Sequence, residues 1–556
     1  MRNKNILYSS LIFIAACILF FTFLGSVHLF DWDEINFQPF WEKPPLFIWM
    51  QAISMKLFGV NEFAARFPNA LCGVLTLLLI FQIGKKIYNE KFALIWVLTY
   101  AGSLLTFFYF KTGIIDPWFN LFIFLGIYFA ILFTNNPEGE KNYKYLFFSG
   151  AFIGLSVLTK GPVGLLLAGL TAGVYLLLKR FKNSGNIKHL AVFIISFCIV
   201  GLSWFLIEVI NGNSKVVVEF INYQIRLLNT KDSGHGGFLL YHFVVLLIGC
   251  FPASIFFFAS FKKAESDTPF QMHFKKWMMI LFWVVLILFT VVKTKIVHYS
   301  SMCWYPLTYL SAYGIYKILE GERKIKPWPI SLGIIISCIL GIVFILIPLT
   351  DNFKTLLLNS NIIQDKFAKE NLNANGGWLG FEWLFGLIFL FFSIFSFLKI
   401  RQGKTQYIIL LFILSLTTIF LASVFIIPKV ERYVQGAAID FYKQRKNEDC
   451  YLETAGFKSY AYLFYSDKKP EQNTQELLIF AKQIGEKEAN EGIYDPLQSF
   501  ARYNVIFICE NNLNKPAYIV VKCNEAKEFM ERYPEFKKIK EKNGFIFLKK
   551  LPLTQK

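Results

Sequence analysis

The chain has 556 residues, 55% hydrophobic and 17% charged, with 63 phenylalanines and a formal charge of +19. Soluble domains carry about 25% charge, and the apolar residues here are gathered into runs suited to a ~30 Å hydrocarbon core, which takes about 20 helical residues; a soluble globular protein is excluded. The basic excess reads as loops meeting anionic headgroups, not as a nucleic-acid surface.

In chain order, the first apolar run, 7–29, is read as a span because it is too long for a cleavable leader and lacks a small-residue cleavage site. Twelve more follow at 67–84, 92–110, 117–134, 146–159, 163–178, 190–210, 239–260, 278–292, 302–318, 329–349, 379–398 and 407–427. The expectation is a polytopic α-helical membrane protein of about 13 transmembrane helices over 1–428. With the N-terminus in the cytoplasm, the lysine-rich connectors "GKKIYNEK", "KRFKNSGNIK" and "KIRQGK" all fall inside, as the positive-inside rule asks. Residues 429–556 then lie on the far side. They are polar, with apolar strands at 517–521 and 544–551 and a helix from about Asn524, and predict a small soluble α+β domain. Its cysteines, Cys450, Cys509 and Cys523, admit one disulfide and a leftover thiol in an oxidising space.

The segments assigned to the far side hold a distinct set of charges. "DWDE" carries Asp31, Asp33 and Glu34; "WEKPP" carries Glu42 and Lys43; "TGIIDPW" carries Asp116; "LTKGPVG" carries Lys160. "NYQIRLLNTKDSGHGG" adds Tyr223, Arg226 and His235, and "KTKIVHYS" adds Lys295, His298 and Tyr299. Charges near membrane depth are costly and point to a functional site. Cations that grip an anion beside a carboxylate that moves a proton suit this mixture. Pro44 and Pro45 forbid regular helix just before them, predicting an extended corner that aims Glu42 and Lys43 into a cavity. Each residue has a plainer reading too. Lys43 or Arg226 alone fits a snorkelling headgroup contact. Asp116 before Pro117 is a helix-start signal, and His235, His298 and Tyr299 fit structural roles as readily as chemical ones. Carboxylate oxygens admit a divalent cation, yet no spacing marks a metal site.

Taken in order, "DWDE", "FWEKPPLFIWMQ", "GVNEFAARFPNAL", "KGP" and "TKIVHYSSMCWYPL" resemble the membrane glycosyltransferases of the C-type fold, in the branch of the lipid A aminoarabinose transferases and the protein O-mannosyltransferases. The resemblance covers about residues 5–430. It implies an inverting transfer of sugar from a polyprenyl-phosphate donor to a periplasmic acceptor, a lipid A-like glycolipid or a protein, in a multi-pass protein of the bacterial inner membrane. Carried onto this chain, it makes Asp33 the catalytic carboxylate, supported by Glu42 and Asp116. Lys43, Arg226 and Lys295 would hold the donor phosphate, with Asp31, Glu34, Lys160, Tyr223, His235, His298 and Tyr299 around the substrates. In one respect the chain departs from the pattern: Asp33 and Glu42 are nine residues apart, where the relatives have a few dozen. A catalytically impaired member, or a flippase for a lipid-linked sugar, are the alternative readings.

Overall fold

The computed structural model describes residues 2–24, 43–137, 142–182, 185–229, 237–262, 264–360, 363–457, 459, 461–468, 476–477, 479–480, 483–484 and 496–552. Two compact units emerge. The first comprises 2–24, 43–345 and 384–424, and is helical throughout. Its helices are α1 (Arg2–Phe21), α2 (Leu46–Phe58), α3 (Glu62–Ile87), α4 (Glu90–Ala101), α5 (Leu104–Tyr109), α6 (Asp116–Asn135), α7 (Tyr143–Lys160) and α8 (Val163–Leu178). There follow α9 (Ile187–Gly201), α10 (Ser203–Ile210), α11 (Ser214–Asn229), α12 (Tyr241–Gly249), α13 (Ala253–Phe257), α14 (Pro269–Val291), α15 (Trp304–Leu319) and α16 (Pro327–Leu346). After α17 (Thr350–Asn359) and α18 (Lys366–Asn371), which belong to the second unit, α19 (Trp383–Arg401) and α20 (Tyr407–Phe425) return to the first.

Helix occupies all thirteen stretches expected to span. Among the described residues seven helices are long and apolar enough to cross a membrane, and the bent pairs α9/α10 (53°) and α12/α13 (108°) raise this to nine. The other four stretches are shorter, less apolar or broken, and packing accounts for one of them. The α4/α5 break falls at Gly102, where a Cβ would lie 3.0 Å from the Phe412 carbonyl oxygen and where Ser415 Oγ donates to the Gly102 carbonyl at 2.8 Å. Helix α2 was not anticipated. Its 13 residues reach only ~20 Å, too short to span.

The core is aromatic. Phe20, Trp96, Tyr100, Phe124, Trp277, Tyr305 and Tyr309 are buried, and their rings meet edge-on or offset, as in Trp96 against Tyr309 (5.2 Å, 71°) and Phe124 against Tyr305 (4.5 Å, 19°). Helices α7 and α9 approach backbone to backbone. A Cβ on Gly154 would come within 2.8 Å of the Gly201 nitrogen, the close approach that small residues permit between membrane helices.

The second unit comprises 346–383 and 425–552 among the described residues, so it takes in a stretch that the sequence reading left with the membrane region. Its sheet contains β1 (Tyr451–Ala455), β2 (Ala517–Lys522), β3 (Lys537–Lys542) and β4 (Phe545–Lys550), in the order β1-β2-β4-β3. β1 and β2 are parallel and the remaining pairs antiparallel. The parallel pair needs a crossover, and the helix Pro496–Glu510 lies in it. Asn543 and Gly544, both at positive φ, make the tight β3–β4 turn. Cys450, Cys509 and Cys523 are all free and buried, so the disulfide that the sequence admitted does not form.

Candidate active site

Five elements of the first unit bring the candidate residues to one end of the bundle. Asp116 opens α6 and is 4% exposed. Its carboxylate does not cap its own helix: the N-cap is Ile115, without a side-chain bond. Instead Asp116 Oδ1 accepts from Lys160 Nζ in an ion pair at the C-terminal end of α7. The negative charge still falls where the α6 dipole favours it. Lys160 also lies 5.5 Å from the ring centroids of Phe119 and Tyr299. Around this pair, His298 and Lys43 are close enough for their charges to act on Asp116.

Lys43 stands 5.4 Å from the Tyr223 ring. Pro45 has helical dihedrals and stands at the N-cap of α2, so it takes no part in the extended corner that the sequence reading placed at the proline pair. Tyr223 is buried on α11, an amphipathic helix that also carries Arg226. That helix can approach because residue 161 is glycine. Gly161 has φ +95°, and a Cβ there would stand 3.2 Å from Phe220 of α11. The Lys-Gly-Pro sequence therefore ends α7, places Lys160 on Asp116 and seats α11 beside it.

The turn Val297–Cys303, a 3₁₀ helix before α15, brings in His298 and Tyr299. Ser301 Oγ donates to the His298 carbonyl at 2.6 Å and accepts from Tyr109 Oη at 3.0 Å and Asn120 Nδ2 at 2.8 Å. Ser300 Oγ is 3.1 Å from His242 Nδ1. Tyr109, Asn120, His242 and the two serines were missed by sequence reasoning. One signal was available for Asn120: four residues after Asp116, it shares that residue's helix face.

Lys295 is placed otherwise than the sequence reading expected. It is 7% exposed, and its ammonium donates to the Phe289 and Thr290 carbonyls at 2.9 and 2.6 Å, closing the C-terminal end of α14. Burial lowers its pKa. The exit of α1 is held in a similar way: Lys111 Nζ donates to the Thr22 carbonyl (2.9 Å) and Arg66 Nη1 to the Leu24 carbonyl (2.9 Å). Burial, with Arg66 nearby, brings the Lys111 ammonium down to about 8. Arg66 is the arginine of the "AARFP" motif. Asp31, Asp33, Glu34, Glu42 and His235 lie outside the described residues, as does the side chain of Arg226. Among the described residues no group of three or more His, Cys, Asp or Glu side chains could hold a metal ion.

An anion with a hydroxyl-bearing body fits such a site. Ammonium groups meet the negative end, while a carboxylate and aromatic faces meet the remainder. Comparison with known proteins gives the same direction. A family model described as dolichyl-phosphate-mannose-protein mannosyltransferase matches residues 42–204. The undecaprenyl phosphate-alpha-4-amino-4-deoxy-L-arabinose arabinosyl transferase of Wigglesworthia glossinidia brevipalpis is 26% identical over 313 residues, 54% of this chain and 53% of the relative. Its Proteus mirabilis (strain HI4320) counterpart, transferase 1, is 23% identical over 298 residues, 53% of each. The chain thus spans about half the length of the curated relatives it matches. The crystal structure of ArnT from Cupriavidus metallidurans bound to undecaprenyl phosphate superposes with a TM-score of 0.70 at 16% identity, covering 98% of both chains. This chain has the C-type glycosyltransferase fold. Within that C-type fold it is a multi-pass membrane protein with a small C-terminal α+β domain, similar to the aminoarabinose transferases and to the protein mannosyltransferases. The family match begins at Glu42 and Lys43 and runs through Asp116 and Lys160.

Proposed function

We propose that the protein is an inverting glycosyltransferase that moves a sugar from a polyprenyl-phosphate donor to a periplasmic acceptor, a lipid A-like glycolipid in preference to a protein. The observation that carries this reading is the convergence of Lys43, Asp116, Lys160, Tyr223, His298 and Tyr299 at one end of the bundle, from segments spread over nearly half the chain. The relatives named for transfer from an undecaprenyl-phosphate sugar support it.

In this mechanism the donor phosphate is the leaving group. Lys43 and Arg226 neutralise the charge that grows on it, a preorganised stabilisation that commonly forms the largest share of catalysis. Lys160 is already engaged by Asp116, so the pair orients the sugar and holds the local charge near neutral before the donor enters. Asp33 takes the proton of the acceptor hydroxyl or phosphate as the new glycosidic bond forms and the bond to the donor phosphate breaks. Glu42 aligns Lys43. Asp31, Glu34 and His235 are assigned to substrate binding. The N-terminus is cytoplasmic and the C-terminal domain periplasmic.

The experiment is a transfer assay in membranes with a radiolabelled polyprenyl-phosphate sugar, comparing the wild type with Asp33→Asn. Loss of transfer with donor binding retained is the expected result. Turnover by the variant would remove Asp33 from the role. Vectorial movement of the donor without a new glycosidic bond would replace the transferase by a flippase.

A further inference from the structure

The opposite end of the same helices carries a second feature. A cavity of about 620 Å³ opens among α1, α3, α6 and α7, within the size range of small-molecule sites. Leu79, Leu125, Phe129 and Phe152 form its walls, with the two phenylalanine rings stacked at 5.8 Å and 6° into one flat side. Lys85 and Lys86, in the last turn of α3, and Asn5 of α1 also line it. Lys85 is paired with Glu90 at 2.7 Å, so the net positive charge at the cavity resides on the exposed Lys86. The Asn5 Oδ1 atom is buried and has no hydrogen-bond partner among the described residues. Leu79 and Lys86 are seven helical residues apart, so the apolar slot extends ~10 Å below the charge.

An apolar slot in a membrane-facing bundle invites an acyl chain. Lys86 beside it repels a headgroup with a terminal cation and attracts a phosphate, and basic pockets between transmembrane helices hold anionic headgroups in this way. Snorkelling into bulk lipid accounts for Lys86 alone, but not for an aromatic-walled cavity beneath it. We propose that this cavity binds an anionic glycerophospholipid, such as phosphatidylglycerol. One acyl chain lies between Leu79 and the Phe129–Phe152 wall, and the phosphate meets Lys86. The site lies away from Asp116 and Lys160 and does not depend on the transferase reading.

The test uses full-length protein purified in a non-ionic detergent. Phosphatidylglycerol, phosphatidylcholine with identical chains, and undecaprenyl phosphate are added in turn, with retention read by native mass spectrometry and stabilisation by thermal unfolding. Wild type should retain phosphatidylglycerol about tenfold better than phosphatidylcholine, equivalent to ~1.4 kcal/mol. Lys86→Gln should erase that preference. Leu79→Trp, which fills the slot, should lose phosphatidylglycerol retention, and Leu125→Trp provides the same reading if that variant fails to fold. Equal retention of both glycerophospholipids, or an unchanged preference in Lys86→Gln, overturns the proposal. So does displacement of phosphatidylglycerol by an equimolar amount of undecaprenyl phosphate.

Discussion

Removing the Lys160 ammonium tests how the candidate site is held together. Its side chain is 16% exposed and that of Asp116 5%, so Lys160→Met leaves a carboxylate with little access to water. Breaking one side of a buried pair costs ~3–5 kcal/mol; the residual exposure of Lys160 favours the lower figure, about 3 kcal/mol, or about a hundredfold in the folded-to-unfolded ratio. Asp116→Asn strands the ammonium instead and should cost a similar amount. The double variant carries neither orphan charge, so its loss should fall short of the sum by about 2 kcal/mol, inside the range for contacting residues. Denaturant titration of the purified protein in micelles, followed by tryptophan fluorescence, gives all four corners of the cycle. Single losses below about 1 kcal/mol, or additivity within about 0.5 kcal/mol, would refute the claim that this pair organises the site.

Three other outcomes are expected. Tyr223→Leu removes the ring beside Lys43 and should weaken donor affinity about fivefold, the ~1 kcal/mol typical of a partly exposed cation over a ring; an unchanged donor Kd counts against that contact. Gly154→Leu forces a side chain between α7 and α9 and should destabilise the protein by ~1–3 kcal/mol, whereas Gly173→Leu, where a Cβ meets nothing within 4 Å, should be close to neutral in the same unfolding assay. Glu453 of β1 is buried and accepts from Asn504 Nδ2 at 2.9 Å, and burial raises its pKa to about 7. The folded carboxyl therefore keeps a proton that the unfolded chain releases near pH 4.5. Stability should fall as pH rises from about 4.5 to 7, by a total of ~3 kcal/mol. Glu453→Gln should flatten that slope, as followed by pulse proteolysis of the full-length protein at pH 5 and pH 8; parallel slopes for both proteins would sink the assignment.

Hydrophobic run length made the helices legible, because desolvating backbone in lipid leaves helix as the only open-chain solution. Run length says little about where a helix bends. The 108° turn between α12 and α13 sits inside one continuous apolar stretch, 239–260, where run length hides it and Pro252, the N-cap of α13, was the local signal available. The same blindness hid α2, whose residues are as apolar as a span but too few to cross. In the second unit β2 and β4 were visible as apolar runs. β3, "KKIKEK", has every residue exposed and so lacks the buried alternation by which strands are recognised; the Asn-Gly pair that follows was the clue available. At the site, charged residues flanking apolar runs could be picked out as a set, but partner choice could not. Nothing in "LTKGPVG" says that Lys160 pairs with Asp116, and nothing in "VVKTKIVHYS" says that Lys295 turns back onto the α14 carbonyls.

The lysines of β3 have a consequence for how copies of the protein coexist in one bilayer. Proteins confined to a plane meet often and in similar orientations, and a bare sheet margin under those conditions is an invitation to strand exchange and fibril growth. If two copies joined through this margin, Lys537, Lys538, Lys540 and Lys542 of each would face their counterparts across one interstrand spacing of ~4.8 Å, with Glu541 and Asp440, the partners of Lys538 and Lys542, offsetting only part of that charge. Mutual repulsion would thus keep neighbouring molecules separate at densities where an apolar margin would fuse them.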